Sequence, residues 1–285
     1  MTFSIVASNA GRSQLGVAVA SKFLAVGSVV PAARAGAGAL ATQAWANTAY
    51  KAGGIALLAN GATAQETVTT LTGSDAKRQL RQLGVLDAHG GSATYTGEQC
   101  TDWAGGVCGD GYAIQGNILA GSRVIAVMEQ AWLGSDPAAP LARRLLAALG
   151  AGDAAGGDKR GRQSAGLLVV GDEGGYLDGG DVIVDLRVDD HQAPIPELAR
   201  LLDLHDMLFG KPAPEDLMDL SGTLADEVRS LLGAQGYAAG DVTATELDRV
   251  LAAWAGAQNL EERLVAGMID PAMLRHLRRL GNIAD

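Results

Sequence analysis

Thr2 is where this sequence first offers a chemistry. Removal of Met1 by methionine aminopeptidase, which accepts small second residues, would leave a free α-amine of pKa ~8 beside the threonine's own hydroxyl. An N-terminal amine that takes up the proton of its own hydroxyl is an established way of making a nucleophile. A threonine behind an initiator methionine ordinarily has no role, so the surroundings must decide. The first 65 residues contain no Asp, Glu or His; the first carboxylate is Glu66 and the first imidazole His89. Chemistry in this glycine-rich stretch therefore needs another base, and the amine is one.

Acyl transfer also needs donors aimed at the developing oxyanion. Gln115-Gly116-Asn117 closes a predicted strand just ahead of a helix, and an Asn amide with a Gly backbone N–H can supply them. Asn47, behind Trp45, is the competing donor; either could instead be a turn asparagine bonded to its own backbone. Gly157-Asp-Lys-Arg-Gly-Arg-Gln-Ser164 mixes glycines and cations but lacks the Gly-x4-Gly-Lys-Ser/Thr spacing of a phosphate loop. It reads better as a polar loop bordering a pocket, ordered by Asp158 pairing with Arg160 or Arg187. Its three cations suit a substrate carboxylate, against the alternative of a solvated surface turn. Asp181, Asp185, Asp189, Asp190 and His191 cluster in sequence, yet without convergent histidines they offer at most an oxygen-only calcium or magnesium site. A charged strand end is the better reading, and no metal is expected. His89, His205 and His276 read as turn and helix-surface residues.

The elements that must position these residues are legible in part. Thr2 to Ser8 and Leu15 to Ala20 read as strands about an Asn9-Ala10-Gly11 turn. Val26 to Val30, stopped by Pro31, and Ala37 to Gln43 continue the β pattern. Thr63-Ala-Gln-Glu66 is a capping box opening a helix over Ala64 to Leu71, and a short helix is expected from Asp75 to Gln82. Gly84 to Ala88 and Ser92 to Thr96 make a hairpin about His89-Gly90-Gly91, and Gly111 to Gly116 is a further strand. Helices follow near Arg123 to Trp132 and Leu141 to Leu149, then strands at Ala165 to Val170 and Val182 to Val188 with turns at Asp172–Gly175 and Asp178–Gly180. Strands, helices and strands again fit an α+β layered fold better than regular βαβ alternation. Gly210-Lys-Pro-Ala-Pro-Glu215 reads as a linker, dividing the chain into 1–210 and 211–285. The tail is helical: Thr243-Ala-Thr-Glu246 is a capping box, and Asp270-Pro271 an N-cap followed by proline at N1, with Gly281 at the end. Leu231, Leu247, Leu251, Trp254 and Leu264 are expected to form its apolar seam.

Composition narrows the function classes. In 285 residues there are 39 glycines, 48% hydrophobic and only 4% aromatic residues, so the core is packed from Ala, Val and Leu among many close backbone approaches. The net charge of −10 repels phosphate backbones and anionic bilayers, which argues against nucleic acid and membrane partners. Cys100 and Cys108 make neither a disulfide framework nor a four-thiolate zinc site. No signal or spanning segment is read from the sequence, and a cytoplasmic location is expected.

The strand, turn, strand that begins at Thr2 resembles the N-terminal-nucleophile (Ntn) hydrolases, whose four-layered αββα fold carries the nucleophile on its first strand. Met1-Thr-Phe-Ser-Ile-Val-Ala, Val19-Ala-Ser-Lys-Phe-Leu-Ala-Val-Gly27, Ala41-Thr-Gln-Ala-Trp-Ala-Asn47, Gly111-Tyr-Ala-Ile-Gln-Gly-Asn117 and Gly156-Gly-Asp-Lys-Arg-Gly-Arg-Gln-Ser164 are together similar to the bacterial family catalogued as domain of unknown function 1028. That resemblance runs from Met1 to about Phe209. It implies an αββα sandwich with Thr2 as nucleophile, Gly116 and Asn117 at the oxyanion, and Lys22 lowering the pKa of the nucleophile's surroundings, against the equal alternative of a solvated lysine. Gln43, Asn47 and Gln115, with Asp158, Arg160, Gln163 and Ser164, would border the substrate. Leu231 to Tyr237, Gly240 to Trp254 and Asn259 to Leu264 resemble a small peptidoglycan-binding-like helical domain, for which a docking or dimerisation surface is an equal use. The expected activity is hydrolysis of an amide bond in a small molecule or peptide, without cofactor. A non-catalytic binding or assembly protein on the same scaffold is the rival, and a homo-oligomer is compatible with either.

Overall fold

The computed structural model describes residues 2–172, 180–240 and 242–281. β1 (Thr2–Ser8) and β2 (Gln14–Ser21) form a hairpin; α1 (Val26–Val29), β3 (Pro31–Arg34) and β4 (Gly38–Ala44) follow, then α2 (Ala49–Ala59) and α3 (Ala64–Gly73). β5 (Arg81–Asp87), β6 (Ser92–Thr96), β7 (Gly105–Gly109) and β8 (Tyr112–Asn117) precede α4 (Arg123–Leu133) and α5 (Leu141–Ala154). β9 (Ser164–Gly171), β10 (Val182–Val188) and α6 (Pro194–Phe209) lead into β11 (Met218–Asp219), α7 (Gly222–Ala234), α8 (Ala244–Ala257), β12 (Met268–Ile269) and α9 (Pro271–Gly281). The turns expected between Asp172 and Gly180 fall on 173–179, outside the described residues.

The described residues belong to two compact units, one ending at Leu201 and one beginning at Leu202. In the first, β10-β9-β2-β1-β8-β7 form one sheet and β3-β4-β5-β6 another, with every pairing antiparallel. Helices cover both outer faces, giving helix, sheet, sheet, helix. α2 and α3 pack Tyr50, Leu58, Val68 and Leu71 on Leu40, Leu83 and Val85 of the smaller sheet. On the larger sheet, β2 passes so close to α5 that a Cβ on Gly16 would stand 2.6 Å from Leu145 Cδ1. Between the sheets Val6, Val17, Val19, Ala39, Ala41 and Leu86 form an apolar core.

Two local expectations are corrected. Val26–Val29 is a helical turn, not a strand. Ala25 enters the left-handed region at φ 52, Val26 N–H is held by Ser164 Oγ at 3.0 Å, and Gly27 lies so near β9 that a Cβ on Gly166 would meet its Cα at 2.7 Å. Pro31 then opens β3 instead of ending a strand. The helix expected over Asp75 to Gln82 shrinks to a 3₁₀ turn at Arg78–Leu80, because Arg81 onward pairs with β4. α2, β7 and α6 were not anticipated; α6 begins at Pro194, where a missing N–H costs nothing.

The second unit is helical apart from the two-residue pair β11–β12. Leu247, Leu251 and Trp254 are buried in its core and Leu231 and Leu264 pack against it. Both capping boxes, at Thr63 and Thr243, are closed. Asp270 Oδ1 accepts from Ala272 N and Met273 N at 2.6 and 3.0 Å, capping α9.

Candidate functional site

β1 lies between β2 and β8, so Thr2 sits near the middle of the larger sheet with Asn117 as its register partner. Residues 2, 4 and 6 share the face turned to the smaller sheet, since side chains alternate along a strand. At this end the space between the sheets is polar. Ser4 Oγ donates to Gln43 Oε1 at 2.7 Å, Gln43 Nε2 to Gln82 Oε1 at 2.8 Å, and Asn117 Nδ2 to Gln82 Oε1 at 2.9 Å. Gln115 Nε2 donates to Ser4 Oγ at 2.6 Å, and Gln82 Nε2 to Gly116 O at 2.7 Å and Thr96 Oγ1 at 2.9 Å. Ser4, Gln43, Gln82, Gln115 and Asn117 are all buried, so their amides look for partners within the protein, and Gln115 Oε1 is left without one among the described residues. Gly84 makes room for this network: a Cβ there would stand 2.0 Å from Gln115 Oε1.

Thr2 is buried at the edge of the network. Its hydroxyl is 3.1 Å from Ser21 Oγ, and its carbonyl accepts from Asn117 Nδ2 and Gln43 Nε2, each at 3.4 Å. Among the described residues no carboxylate or imidazole hydrogen-bonds to Thr2. The chain bends sharply behind Asn117: Ile118 stands at φ 50, costly for a β-branched side chain at roughly 1–3 kcal/mol. Its N–H is held by Thr101 O at 2.8 Å.

Lys22 follows the end of β2 and is exposed, its Nζ donating to Arg162 O at 3.3 Å. Asp158 is buried under the glycine-rich loop and accepts from Lys22 N at 2.7 Å, Arg160 N at 2.9 Å and the Arg160 guanidinium at 3.3 Å. Arg187 pairs instead with Asp185, at 3.5 Å. Ser164 is buried, its hydroxyl donating to Phe23 O; Gln163 O accepts from His191 N at 2.8 Å. Ser21, Asp158 and Ser164 line a cavity of about 10 Å³ with Phe3 and Arg162, room for a single water. It adjoins an open groove of about 480 Å³ lined by Asp153, Asp158, Lys159, Arg162 and Gln192.

Asn47 is not part of this constellation. Its amide donates to Asp75 Oδ2 at 3.1 Å, in a group where Tyr50 OH and Arg81 Nε also reach that oxygen at 2.9 Å. The Arg81 guanidinium, with help from Lys77 N–H, Asn47 and Tyr50, holds the Asp75 carboxyl well below its usual range. Burial, then the bond to Asp75, pushes the Tyr50 phenol above its own. Ser4, Ser21, Gln82 and the Asp75 group were missed by reading the sequence. The available signal for Gln82 was a glutamine on the inward face of an apolar strand, as with Gln43 and Gln115. Asp181 accepts from Ala35 N at 2.8 Å, and the described residues hold no group of three or more potential metal ligands. None of their helices is long and apolar enough to cross a membrane.

Residues 2–198 match the family described as "Family of unknown function (DUF1028)", and residues 208–277 match a "Putative peptidoglycan binding domain". No curated protein matches the chain. A solved structure of a protein from Silicibacter pomeroyi, itself assigned to DUF1028, is 30% identical and superposes with a TM-score of 0.65. The alignment covers 79% of this chain and 92% of that one. On the extent of the family match and this structural likeness, the chain belongs to the DUF1028 family of unknown function.

Proposed function

We propose that this protein is an amide hydrolase with Thr2 as its N-terminal nucleophile. The reading requires Thr2 to be the first residue of the mature protein. One observation carries it: a buried threonine hydroxyl stands 3.1 Å from Ser21 Oγ on a central strand, with no carboxylate or imidazole bonded to it among the described residues. The α-amine is then the available base. Thr2 Oγ attacks the amide carbon as its proton passes to the amine. The C–N bond breaks, and the amine returns the proton to the leaving nitrogen. Water then cleaves the threonyl ester, releasing a carboxylic acid. Asn117 and Gln43 grip the Thr2 carbonyl and thereby orient the nucleophile. Lys22, exposed with its Nζ on Arg162 O, makes no hydrogen bond to Thr2 and is given no part in the step. A role for Asn117 at the oxyanion asks it to exchange Gln82 for substrate, since both its amide hydrogens are engaged.

That engagement favours the second reading, a binding or assembly protein in which the amides serve the core alone. Intact-mass measurement of the purified protein separates the two, together with turnover of dipeptides, N-acyl amino acids and ureido compounds. Loss of Met1 and turnover that Thr2→Ala abolishes without unfolding support the hydrolase. Full retention of Met1, or undiminished turnover by Thr2→Ala, overturns it.

A further inference from the structure

The groove beside the glycine-rich loop has a charge pattern that the reaction just described does not use. Two carboxylates line it and both are occupied. Asp158 is enclosed by Arg160 and two backbone N–H groups. Asp153 accepts from Arg162 Nε at 2.8 and 2.9 Å with its two oxygens, and its side chain is only 16% exposed. The two cations are different. Arg162 spends its Nε on Asp153, while among the described residues its two terminal nitrogens make no hydrogen bond; its side chain is 52% exposed. Lys159 is exposed and uses one of its three donors, on Asp102 O at 2.9 Å. Arg162 lines both the groove and the water-sized cavity, and the cavity ends on Ser21, the neighbour of the Thr2 hydroxyl.

We infer that the groove is a carboxylate-recognition site in which the terminal nitrogens of Arg162, assisted by the Lys159 ammonium, bind the carboxylate of a small N-acyl amino acid. A guanidinium already fixed through Nε presents its remaining fork with little left to order, and such planar pairs are the stronger, more directional contacts for carboxylates. Lys159 contributes as a point charge. A ligand held here lies beside the cavity that ends on Ser21, since Arg162 lines both. The inference names a substrate class for the proposed hydrolase and rests on that reading only for turnover; binding stands by itself.

The test is calorimetric or NMR titration of the full-length Thr2→Ala chain, which binds whether or not the wild type is a hydrolase. The probes are N-acetyl-L-alanine and its uncharged counterpart N-acetyl-L-alaninamide at millimolar concentration. The acid binds and the amide is weaker by about tenfold or more, the scale of one charged hydrogen-bonded pair. Arg162→Gln removes that preference, Arg162→Lys restores part of it, and Lys159→Gln lowers acid affinity by roughly threefold, as expected for an exposed charge. Asp153→Asn, which withdraws the competing carboxylate, tightens binding. Equal affinity for the two probes, binding of neither, or an unchanged preference in Arg162→Gln overturns the site. If the probes discriminate while wild-type turnover is absent, the recognition site survives and the hydrolase reading falls.

Discussion

For the proposed mechanism, the decisive quantity at Thr2 is the protonation of its α-amine. In that mechanism the amine accepts the hydroxyl proton only when neutral, so turnover would rise with pH through its pKa, ~8 in a free chain. A pH–rate profile with that single ascending limb is expected, and Thr2→Ser retains the limb at reduced rate. A profile falling over the same range removes the amine from its role. Asp75 gives a second residue-scale expectation, about stability. Its pKa is depressed in the folded state, chiefly by Arg81, so the folded protein resists its protonation. That stabilisation is complete above the ordinary carboxylate pKa of ~4 and is lost as pH falls below it. Tyr50 has the opposite sign: its pKa is raised, so its contribution is complete below ~10 and is lost at higher pH. Asp75→Asn should destabilise by roughly 1.5–3 kcal/mol at neutral pH, the range for hydrogen bonds to a charged group, the pair being partly buried. The gap from wild type should narrow on acidification, as melting temperatures between pH 7 and pH 3 will read.

Among the elements, Asp87 joins a hairpin to a helix. Its Oδ1 accepts from His89 N and Gly91 N at 2.9 Å, and its Oδ2 from Ala64 N at 3.1 Å. It therefore closes the β5–β6 turn and also serves the first turn of α3. Asp87→Ala leaves these N–H groups without their acceptor and should cost about 2–4 kcal/mol. A lowered urea midpoint with an unchanged slope is the expected signature; an unaltered midpoint would show that other acceptors replace it. The same element shows how sequence and structure share the information. The hairpin and the capping box beside it are legible from adjacent residues, because turn chemistry and caps act over a few positions. The carboxylate that ties them together is not, since Asp87 and Ala64 meet only when α3 packs on the smaller sheet.

For the whole molecule, the helical unit depends on one large side chain. Trp254 is fully buried at its centre, with its indole Nε1 donating to Gln235 Oε1 at 2.9 Å. Trp254→Ala should cost about 3–5 kcal/mol, comparable to the entire stability of a core this small. Hydrogen exchange on the full chain should show protection lost over α7, α8 and α9 and kept over β1, β2 and β8; loss across both regions would show that the units unfold together.

Sequence alone determined what acts locally: the β1–β2 hairpin, the two capping boxes, the Asp270 cap, the glycine-rich loop and the family to which residues 2–198 belong. It also brought Thr2 and Asn117 under suspicion, although nothing local says that they are register partners. Tertiary structure decided where the polar groups converge. Gln43, Gln82 and Gln115 come from three strands of two sheets, and none by itself says that it meets the others. Only stacking of the sheets makes them partners, because a buried amide must find its hydrogen bonds wherever the fold provides them. The same long-range packing turned Val26–Val29 into a helical turn against β9 and drew Asn47 to Asp75, away from Thr2. Local propensity had no means of registering either outcome, since the groups responsible lie far away in the chain.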